Sequence, residues 1–366
     1  MKIAFYGSSL LSSYWNGAAT YYRGLLSQLA RHGHETVFYE PDAFGRQQHR
    51  DIEPPPWAEV VVYPATEGAV RRVVAEAARA DVVVKASGVG VFDDALLEGV
   101  MAAARPGAIR IFWDVDAPAT LAELAAAPDH ALHRALPGLD LVLTYGGGPP
   151  VVEAYQGFGA RRCVPVYNAL DPSTHHPVPP DARFAADLSF LGNRLPDREA
   201  RVEEFFLRPA ASLPGRSFLL GGNGWDGKVM PRNVRTLGHV YTSEHNAFNA
   251  TPLAVLNIAR DSMASTGFSP ATRVFEAAGA GACLITDAWV GLELFLRDGT
   301  EVLVARDGQD VAEHVAALTP ERARAIGEAG RARILAGDTY DRRAAQVDAL
   351  LRETAARKAD AARSAA

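Results

Sequence analysis

The feature that most constrains the fold of this chain is a repeated alternation of short apolar runs with alanine-rich helical patterns. The apolar runs of the first half are KIAFYG, ETVFYE, EVVVYP, DVVVKAS, IRIFWD, LVLTY and CVPVYN. Segments such as TYYRGLLSQLARHG and DDALLEGVMAAA separate several of them. Because strands that are buried on both faces read as continuous apolar runs, this pattern predicts a parallel sheet that is covered by helices.

The same alternation begins again in the second half of the 366-residue chain, in DLSFLG, SFLLGG, VRTLGHV, LAVLNIA, CLIT and EVLVA. Residues 171–184 lie between the halves and are crowded with proline and polar residues, which is typical of a linker. A chain of this length also exceeds one ordinary hydrophobic core. We therefore predict two Rossmann-like, doubly wound α/β domains that face a cleft, over residues 1–170 and 185–339. The charged, alanine-rich segment from about residue 340 to 366 predicts a long helix.

The composition disfavours several classes of function. A net charge of -6 and a pI of about 5.9 give no general attraction to nucleic acid or to anionic membranes, so any phosphate site must be local. Cys163 and Cys283 lie far apart in apolar runs, which indicates buried thiols without a metal or disulfide pattern. No apolar run reaches membrane-spanning length, and MKIAFYGSS begins directly with a strand. We expect a cytoplasmic protein without a signal peptide, a membrane span or a nucleic-acid partner.

The loop after the first strand, GSSLLSSYWNG, lacks a nucleotide fingerprint. It does not fit G-x-G-x-x-G, and GxxxxGK[ST] occurs nowhere in the chain, so a dinucleotide or P-loop site loses its main support. Ligands of open α/β sheets bind at the carboxyl ends of strands, which makes Gly7, Ser8 and Ser9 candidate cleft residues. A structural turn explains the same residues equally well.

Asp114 and Asp116 end the strand IRIFWD and begin the next loop, and three interpretations compete for them. As a D-x-D pair they would hold a divalent cation that bridges a diphosphate. As a cleft carboxylate, Asp116 would take a proton from an attacking hydroxyl, which makes it the candidate catalytic residue. As a structural residue, Asp116 would cap the helix that begins near Ala117 and Pro118.

Two glycine turns in the second half are candidates for binding a ligand. The strand SFLG ends at Gly192, and the side chains of Asn193 and Arg194 that follow suit a phosphate. The structural alternative is a turn with a solvated arginine. The next strand ends in LLGGNGW, which contributes Gly222 and Asn223 as further candidates.

Aromatic and histidine residues near these turns allow further contacts. Trp225 would either stack on a base or cover the sheet edge. His239 lies at a strand end and is a candidate contact of the same ligand. His175 and His176 lie in the proline-rich segment without partners at metal-ligand spacing, so we expect both at the surface.

The stretch STGFSPATRVFE predicts a helix with a ligand on its polar side. Ser269 suits the N-cap, and Pro270 suits the first helical position. Thr272, Arg273 and Glu276 lie three or four residues apart, so they share one side of the helix. That side points toward the helix N-terminus, where anions bind. The segment therefore predicts an anion site.

Asn257 and Arg260 follow the preceding strand and add polar groups near this helix. Buried polar groups need partners, and a diphosphate on the helix N-terminus beside Arg260 or Arg273 would supply them. Glu276 would then accept both hydroxyls of a ribose, as the acidic residue of dinucleotide folds does. An Arg273–Glu276 pair on one helical turn explains Glu276 alone but not the whole cluster.

These motifs together resemble the CgeB-like (spore-maturation) branch of the two-domain glycosyltransferases with the GT-B fold, with a C-terminal domain of the Glyco_trans_1_2 type. The second half carries the resemblance through SFLGNRLPDREARVEEFF, LNIARDSMASTGFSPATRVFEAAGAGACLITDAWVGLELFL and EVLVA. The first half contributes FWDVDAP and TYGGGPPVVEAYQGFGA.

The resemblance implies transfer of a sugar from a nucleotide-diphosphate sugar to an acceptor, as hexosyltransferases do. The C-terminal domain would bind the donor and the N-terminal domain the acceptor, with the last helix packed back on the N-terminal domain. Glu276 matches the acid that holds the ribose hydroxyls in this family. Phe268 stands where many related retaining enzymes carry a paired glutamate.

The expected donor contains UDP, with GDP or TDP as alternatives, and the acceptor is a small molecule, a glycan or a protein. Helix amides with Arg260 or Arg273 would stabilise the leaving diphosphate, so we expect neither a required metal nor a cofactor. One alternative is a nucleotide-sugar oxidoreductase or epimerase, which would need G-x-G-x-x-G and a Tyr-x-x-x-Lys pair that the chain lacks. The other is a non-catalytic sugar-nucleotide-binding protein.

Overall fold

The computed structural model describes residues 1–14 and 16–365, which form two compact units. Unit 1 contains residues 1–167 together with the segment that begins at Tyr340. Unit 2 contains residues 168–339. The proline-rich segment 171–184, which we predicted as the linker, lies within unit 2.

Unit 1 is built on a parallel sheet of seven strands in the order β3-β2-β1-β4-β5-β6-β7. The strands are β1 (Lys2–Tyr6), β2 (Glu35–Asp42), β3 (Ala58–Pro64), β4 (Val82–Ala86), β5 (Ile109–Asp114), β6 (Leu141–Thr144) and β7 (Cys163–Pro165). Its helices, numbered in chain order over both units, are α1 (Ala18–Arg31), α2 (Glu67–Ala75), α3 (Asp93–Ala103), α4 (Ala117–Ala126), α5 (Ala131–Ala135), α6 (Gly148–Gly157) and α14 (Tyr340–Ala365). The order of the strands reverses between β1 and β4.

The sheet of unit 1 is buried on both faces, as its continuous apolar strands predict. Ala4 and Tyr6 of β1 pack in one cluster with Val70 of α2 and Leu96 of α3. Phe5 is buried on the opposite face, because successive strand residues point to opposite sides.

The last helix, α14, is part of unit 1 through specific contacts with the first part of the chain. The ring of Tyr340 lies so close to Gly24 of α1 that a Cβ there would overlap it. The Asp348 carboxylate lies 2.9 Å from His34 Nε2, and Lys358 Nζ lies 2.7 Å from Asp140 Oδ2. Glycine at position 24 is therefore needed for the close approach of the two helices.

Unit 2 contains a second parallel sheet, of six strands in the order β10-β9-β8-β11-β12-β13. The strands are β8 (Leu188–Leu191), β9 (Phe218–Gly221), β10 (Val234–Gly238), β11 (Ala254–Asn257), β12 (Leu284–Asp287) and β13 (Leu303–Ala305). The helices are α7 (Glu199–Val202), α8 (Arg208–Ser212), α9 (His245–Ala250), α10 (Asp261–Thr266), α11 (Thr272–Gly279), α12 (Gly308–Ala317) and α13 (Pro320–Gly337). A π-helical turn, Glu203–Leu207, joins α7 to α8.

Both faces of this sheet are also covered. Phe190 and Leu220 pack with Phe206 of the π-helical turn on one face, and Leu219 packs with Phe248 of α9 on the other. The predicted architecture of two doubly wound parallel sheets is thus confirmed. No helix in the described part of the chain is long and apolar enough to cross a membrane.

Candidate functional site

The candidate site of unit 2 lies where the order of the strands reverses, between β8 and β11. Loops that leave the carboxyl ends of these neighbouring strands diverge, and this crevice is where open α/β sheets bind ligands. The chain continues from β8 into residues 192–198 and from β11 into residues 258–260. Both loops carry arginine residues.

The two glycine turns contact each other through their backbones. Gly222 has a φ of 116°, and a Cβ on it would overlap the carbonyl group of Gly192. Asn193 Oδ1 accepts a hydrogen bond of 2.9 Å from the amide of Asn223. In this structure the glycines allow the backbones of the two loops to approach closely, and the Asn193 side chain adds a hydrogen bond between the loops.

Trp225 and His239 occupy different environments near these turns. Trp225 is 5% exposed and donates from Nε1 to the carbonyl oxygen of Gly192 at 2.8 Å. This structural role matches the second of its two interpretations and leaves the indole ring unavailable to a base. His239 is exposed and lies edge-on to Tyr241, with 4.6 Å between the ring centroids.

Arg194 is neutralised by neighbouring side chains. Its guanidinium contacts both carboxylate oxygens of Glu199, at 2.9 and 2.6 Å. Hydrogen bonds from Arg194 and, to a smaller extent, from Lys228 lower the pKa of Glu199 to about 2. The geometry therefore favours the structural alternative for Arg194, although the side chain is paired with Glu199 and is not simply solvated.

Arg198 is a functional candidate that the sequence analysis missed. Its Nη2 donates a 2.6 Å hydrogen bond to the carbonyl oxygen of Asn193, and its guanidinium lies 5.6 Å from the centre of the Phe190 ring. Burial lowers the pKa of Arg198, the negative charge of Asp197 raises it, and the positive charges of Arg273 and Arg260 lower it further. No ion pair joins Arg198 to a carboxylate within residues 1–14 and 16–365, and its Nε has no hydrogen-bond partner there. The half-buried guanidinium of Arg198 therefore has no direct ion pair, and the carboxylate that acts on it, Asp197, is paired with Arg260.

Asn257 ends β11, and Arg260 follows it in the next loop. Asn257 is buried and donates to Thr286 Oγ1 at 3.0 Å, so its amide belongs to the end of the sheet. Arg260 is half-buried, and its Nε lies 2.5 Å from Asp197 Oδ2. The positive charge of Arg260 acts on Arg198 together with that of Arg273, although Arg260 is also paired with Asp197.

The helix α11 begins later than its sequence predicts, at Thr272 with Ala271 as N-cap. Ser269 is wrong as the N-cap, because its buried hydroxyl donates back to the carbonyl oxygen of Gly267 at 3.0 Å. The cause is a left-handed turn in which Phe268 has a φ of 48°. Ala271 provides no side-chain cap, and the amide of Val274 donates to the carbonyl oxygen of Ala271 at 3.0 Å, so the amides that precede Val274 in the first turn are left to a ligand or solvent.

Glu276 and Arg273 lie together on the polar side of α11. Arg273 Nη1 lies 3.6 Å from Glu276 Oε2 and 3.3 Å from Asn249 Oδ1. Burial alone would raise the pKa of Glu276, but the positive charge of Arg273 above all lowers it below its ordinary value. Glu276 is therefore an ionised acceptor at neutral pH.

His175 contradicts the expectation of a surface residue, since only 6% of it is exposed. Its Nε2 lies 3.9 Å from Glu276 Oε1, and the centre of its ring lies 6.4 Å from that of His245. The close approach has a physical cause in Gly279, where a Cβ would be only 3.0 Å from the carbonyl oxygen of His175. His176 is exposed as expected.

Unit 1 places Asp116 on the wall of a cavity of about 380 Å³. The cavity is also lined by the buried Lys85, by its partner Asp93 and by Glu123. Asp116 occupies the N-cap position of α4 but makes no capping hydrogen bond through its side chain. Asp116 therefore lies where the cap interpretation predicts, but its side chain does not cap the helix.

Asp114, in contrast, is fully buried and engaged by donors. Its carboxylate accepts hydrogen bonds from Ser87 Oγ at 2.7 Å, Thr120 Oγ1 at 3.0 Å and the hydroxyl of Tyr155. The amide of Asp116 donates to the same carboxylate at 3.0 Å. These bonds disfavour the D-x-D interpretation, because a metal would have to displace them.

The loop after β1 forms a closed network of hydrogen bonds. Ser8 Oγ donates to Asn16 Oδ1 at 2.9 Å, and Ser9 Oγ donates to Glu40 Oε1 at 3.0 Å. A Cβ at Gly7 would overlap the ring of Phe38. Each of the three residues thus has a structural task, which favours the turn over the cleft interpretation.

Comparisons with known proteins place this geometry in a known fold. Residues 198–349 match a family described as glycosyl transferase-like. No curated protein sequence matches the chain. HepE of Anabaena in complex with UDP and glucose aligns with a TM-score of 0.70 at 14% identity, over 96% of this chain and 100% of HepE. A sucrose-phosphate synthase from Thermosynechococcus elongatus aligns with a TM-score of 0.68 at 14% identity, over 96% and 98% of the two chains.

A third structure is AviGT4, a glycosyltransferase involved in avilamycin A biosynthesis, with a TM-score of 0.59 at 17% identity over 97% of this chain and 98% of AviGT4. The family match begins at Arg198 and includes Arg260, Arg273 and Glu276. The two units of this chain form a GT-B fold, and residues 198–349 are similar to a glycosyl transferase-like domain.

Proposed function

We propose that this protein transfers a sugar from a nucleotide-diphosphate sugar to an acceptor, and that unit 2 binds the nucleotide. The observation that carries the proposal is the half-buried Arg198 beside Arg260 and Arg273, three positive charges that pair with two carboxylates, those of Asp197 and Glu276. Positive charge that is withdrawn from water needs anionic partners, and a diphosphate supplies the further anion for the third arginine. The match of residues 198–349 to a glycosyl transferase-like family supports the same conclusion.

The ribose of the donor would bind at Glu276. An ionised carboxylate accepts two hydroxyl hydrogen bonds, and Arg273 holds the carboxylate in its charged form. The uncapped amides of α11 lie at the end of the helix where an anion is stabilised. Ribose and diphosphate would therefore contact one short helix.

The chemistry requires stabilisation of the departing diphosphate while the anomeric carbon gains positive charge. Arg198 and Arg273 would supply that stabilisation without a required metal. Asp116, on the cavity wall of unit 1, would accept the proton of the acceptor hydroxyl if the anomeric configuration inverts. This division assigns the donor to unit 2 and the acceptor to unit 1.

We propose UDP as the nucleotide, with GDP and TDP as alternatives, and a hexose as the sugar. Support comes from structures of the same fold, since HepE was solved with UDP and glucose and also with UDP-glucose. We further propose that the protein belongs to the CgeB-like branch and acts in the cytoplasm. The acceptor is a small molecule, a glycan or a protein.

The test is release of nucleoside diphosphate from UDP-glucose, GDP-glucose and TDP-glucose, with EDTA present and with a panel of hydroxylated acceptors. We expect release from one donor, stimulated by an acceptor and insensitive to EDTA. Binding without release would support a sugar-nucleotide-binding protein instead. No binding of any nucleoside diphosphate would contradict the proposal.

A further inference from the structure

Two histidines without a role in the proposed transfer reaction lie beside Glu276 of the proposed nucleotide site. One ligand atom from each of His175, His245 and Glu276 lies within 4.8 Å of the other two. The three residues belong to the first segment of unit 2, to α9 and to α11. We propose that these side chains bind a divalent transition-metal ion of the Zn²⁺ class.

The separation of His175 and Glu276 suits a shared metal better than a direct hydrogen bond. His175 Nε2 and Glu276 Oε1 are 3.9 Å apart, which exceeds hydrogen-bond length. Zinc binds histidine nitrogen and carboxylate oxygen at about 2.0–2.2 Å, so neighbouring ligands around one ion are roughly 3–4 Å apart. Only a small contraction of the cluster is needed.

The hydrogen bonds of His175 leave a lone pair directed at the carboxylate. Thr174 Oγ1 donates to the carbonyl oxygen of Asp171 at 3.2 Å and lies 3.0 Å from His175 Nδ1. Because that hydroxyl proton is used, the oxygen accepts from Nδ1–H, and Nε2 is then the unprotonated nitrogen. A cation between this lone pair and the carboxylate oxygen would satisfy both atoms.

Glu276 can bind the metal while keeping its ion pair. Arg273 contacts Oε2, whereas Oε1 faces His175. Metal-bound carboxylates usually accept such an outer hydrogen-bond donor, which fixes their orientation. Three protein ligands leave a fourth position for water, as in open zinc sites.

The metal site and the nucleotide site would share Glu276. This consequence rests on the proposed function, in which Glu276 accepts the ribose hydroxyls. Metal and nucleotide would then compete, so the ion would inhibit transfer instead of supporting it. The site therefore differs from the D-x-D pair of unit 1 in both place and effect.

The experiment is a titration of the metal-free, full-length protein with Co²⁺, followed by its visible absorption, with Zn²⁺ displacement as confirmation. We expect saturation at one ion per chain. His175→Ala and His245→Ala should each weaken Co²⁺ binding by at least about 100-fold, because each removes a direct ligand. His176→Ala is the matched control and should bind like the wild type.

Circular dichroism and urea unfolding establish that each variant is folded, and His245→Ala decides the result if His175→Ala does not fold. The proposal is overturned if the wild type shows no saturable Co²⁺ absorption, or if His176→Ala loses binding as His175→Ala does. UDP binding is measured separately on the metal-free protein. UDP binding without Co²⁺ binding removes only the metal site, and Co²⁺ binding without UDP binding removes only the proposed function.

Discussion

Arg273 Nη1 lies 3.6 Å from Glu276 Oε2 on the polar side of α11, and the pair is largely buried. A buried pair on one helical turn stabilises little by itself, because desolvation offsets its attraction. The pair is more informative as a device that keeps Glu276 ionised and oriented beside an uncapped helix N-terminus.

The ribose contact predicts discrimination between UDP and 2′-deoxy-UDP. Hydrogen bonds to a charged group contribute about 1.5–3 kcal/mol, so the wild type should prefer UDP by roughly tenfold or more. Glu276→Ala should weaken UDP binding and abolish this preference. Isothermal titration calorimetry with both nucleotides measures it, and Glu293→Ala, an exposed position, is the control. A preference that persists in Glu276→Ala would remove the ribose role.

We expect substitution of Asp116 to lower turnover and substitution of Asp114 to lower stability. If Asp116 is the base, Asp116→Asn should lower turnover by about 10²–10⁴-fold. The affinity for the donor should stay within about twofold, since a base acts in the transition state and not in donor binding. Steady-state kinetics with a separate donor titration distinguish the two effects. Full activity of Asp116→Asn would return Asp116 to a structural position.

Asp114→Asn provides the contrasting result, because Asp114 holds a buried network through Ser87, Thr120 and Tyr155. An amide nitrogen cannot accept the hydrogen bonds that the second carboxylate oxygen accepts. The free energy of unfolding should therefore fall by about 1–3 kcal/mol, as measured by urea denaturation. Unchanged stability together with lost turnover would instead place Asp114 in the chemistry.

The two cysteines are predicted to be inert in the folded protein. Burial raises the pKa of both Cys163 and Cys283 to about 12, so almost no thiolate exists at pH 8. A thiol reagent such as DTNB should react with neither cysteine in the native state and with both in denaturant. The reactive thiolate should increase only as the pH approaches that pKa. Rapid native reaction at pH 8 would contradict the burial of these strands.

The fold could be predicted from the sequence because strands that are buried on both faces consist of continuous apolar runs. Runs such as DVVVKAS and LVLTY are apolar on both faces, and each corresponds to a central parallel strand. The helix boundaries were less accessible. Ser269 has the chemistry of an N-cap, but the left-handed turn at Phe268 delays the start of α11. Residues other than glycine rarely adopt a positive φ, so the sequence does not indicate this turn.

The candidate site was only partly predictable, for a different reason. Glu276 and Arg273 share a helix face, so their proximity follows from local spacing. Arg198 and His175 depend on tertiary contacts, since Arg198 lies half-buried over the ring of Phe190 and His175 is buried against α11 at Gly279. A charged residue in a polar stretch and a histidine among prolines carry no local sign of burial. Pairing of Arg194 with Glu199 was likewise visible only in three dimensions.

The most direct test of the central claim is a calorimetric titration of UDP into the wild type, Arg198→Ala and Arg194→Ala. If unit 2 binds the diphosphate through the arginine that has no direct ion pair, Arg198→Ala should weaken binding by about tenfold or more, as loss of a charge-assisted hydrogen bond does. Arg194→Ala should stay within about twofold, because Glu199 already neutralises Arg194. Equal affinities for all three proteins, or no binding of UDP by the wild type, would contradict the account.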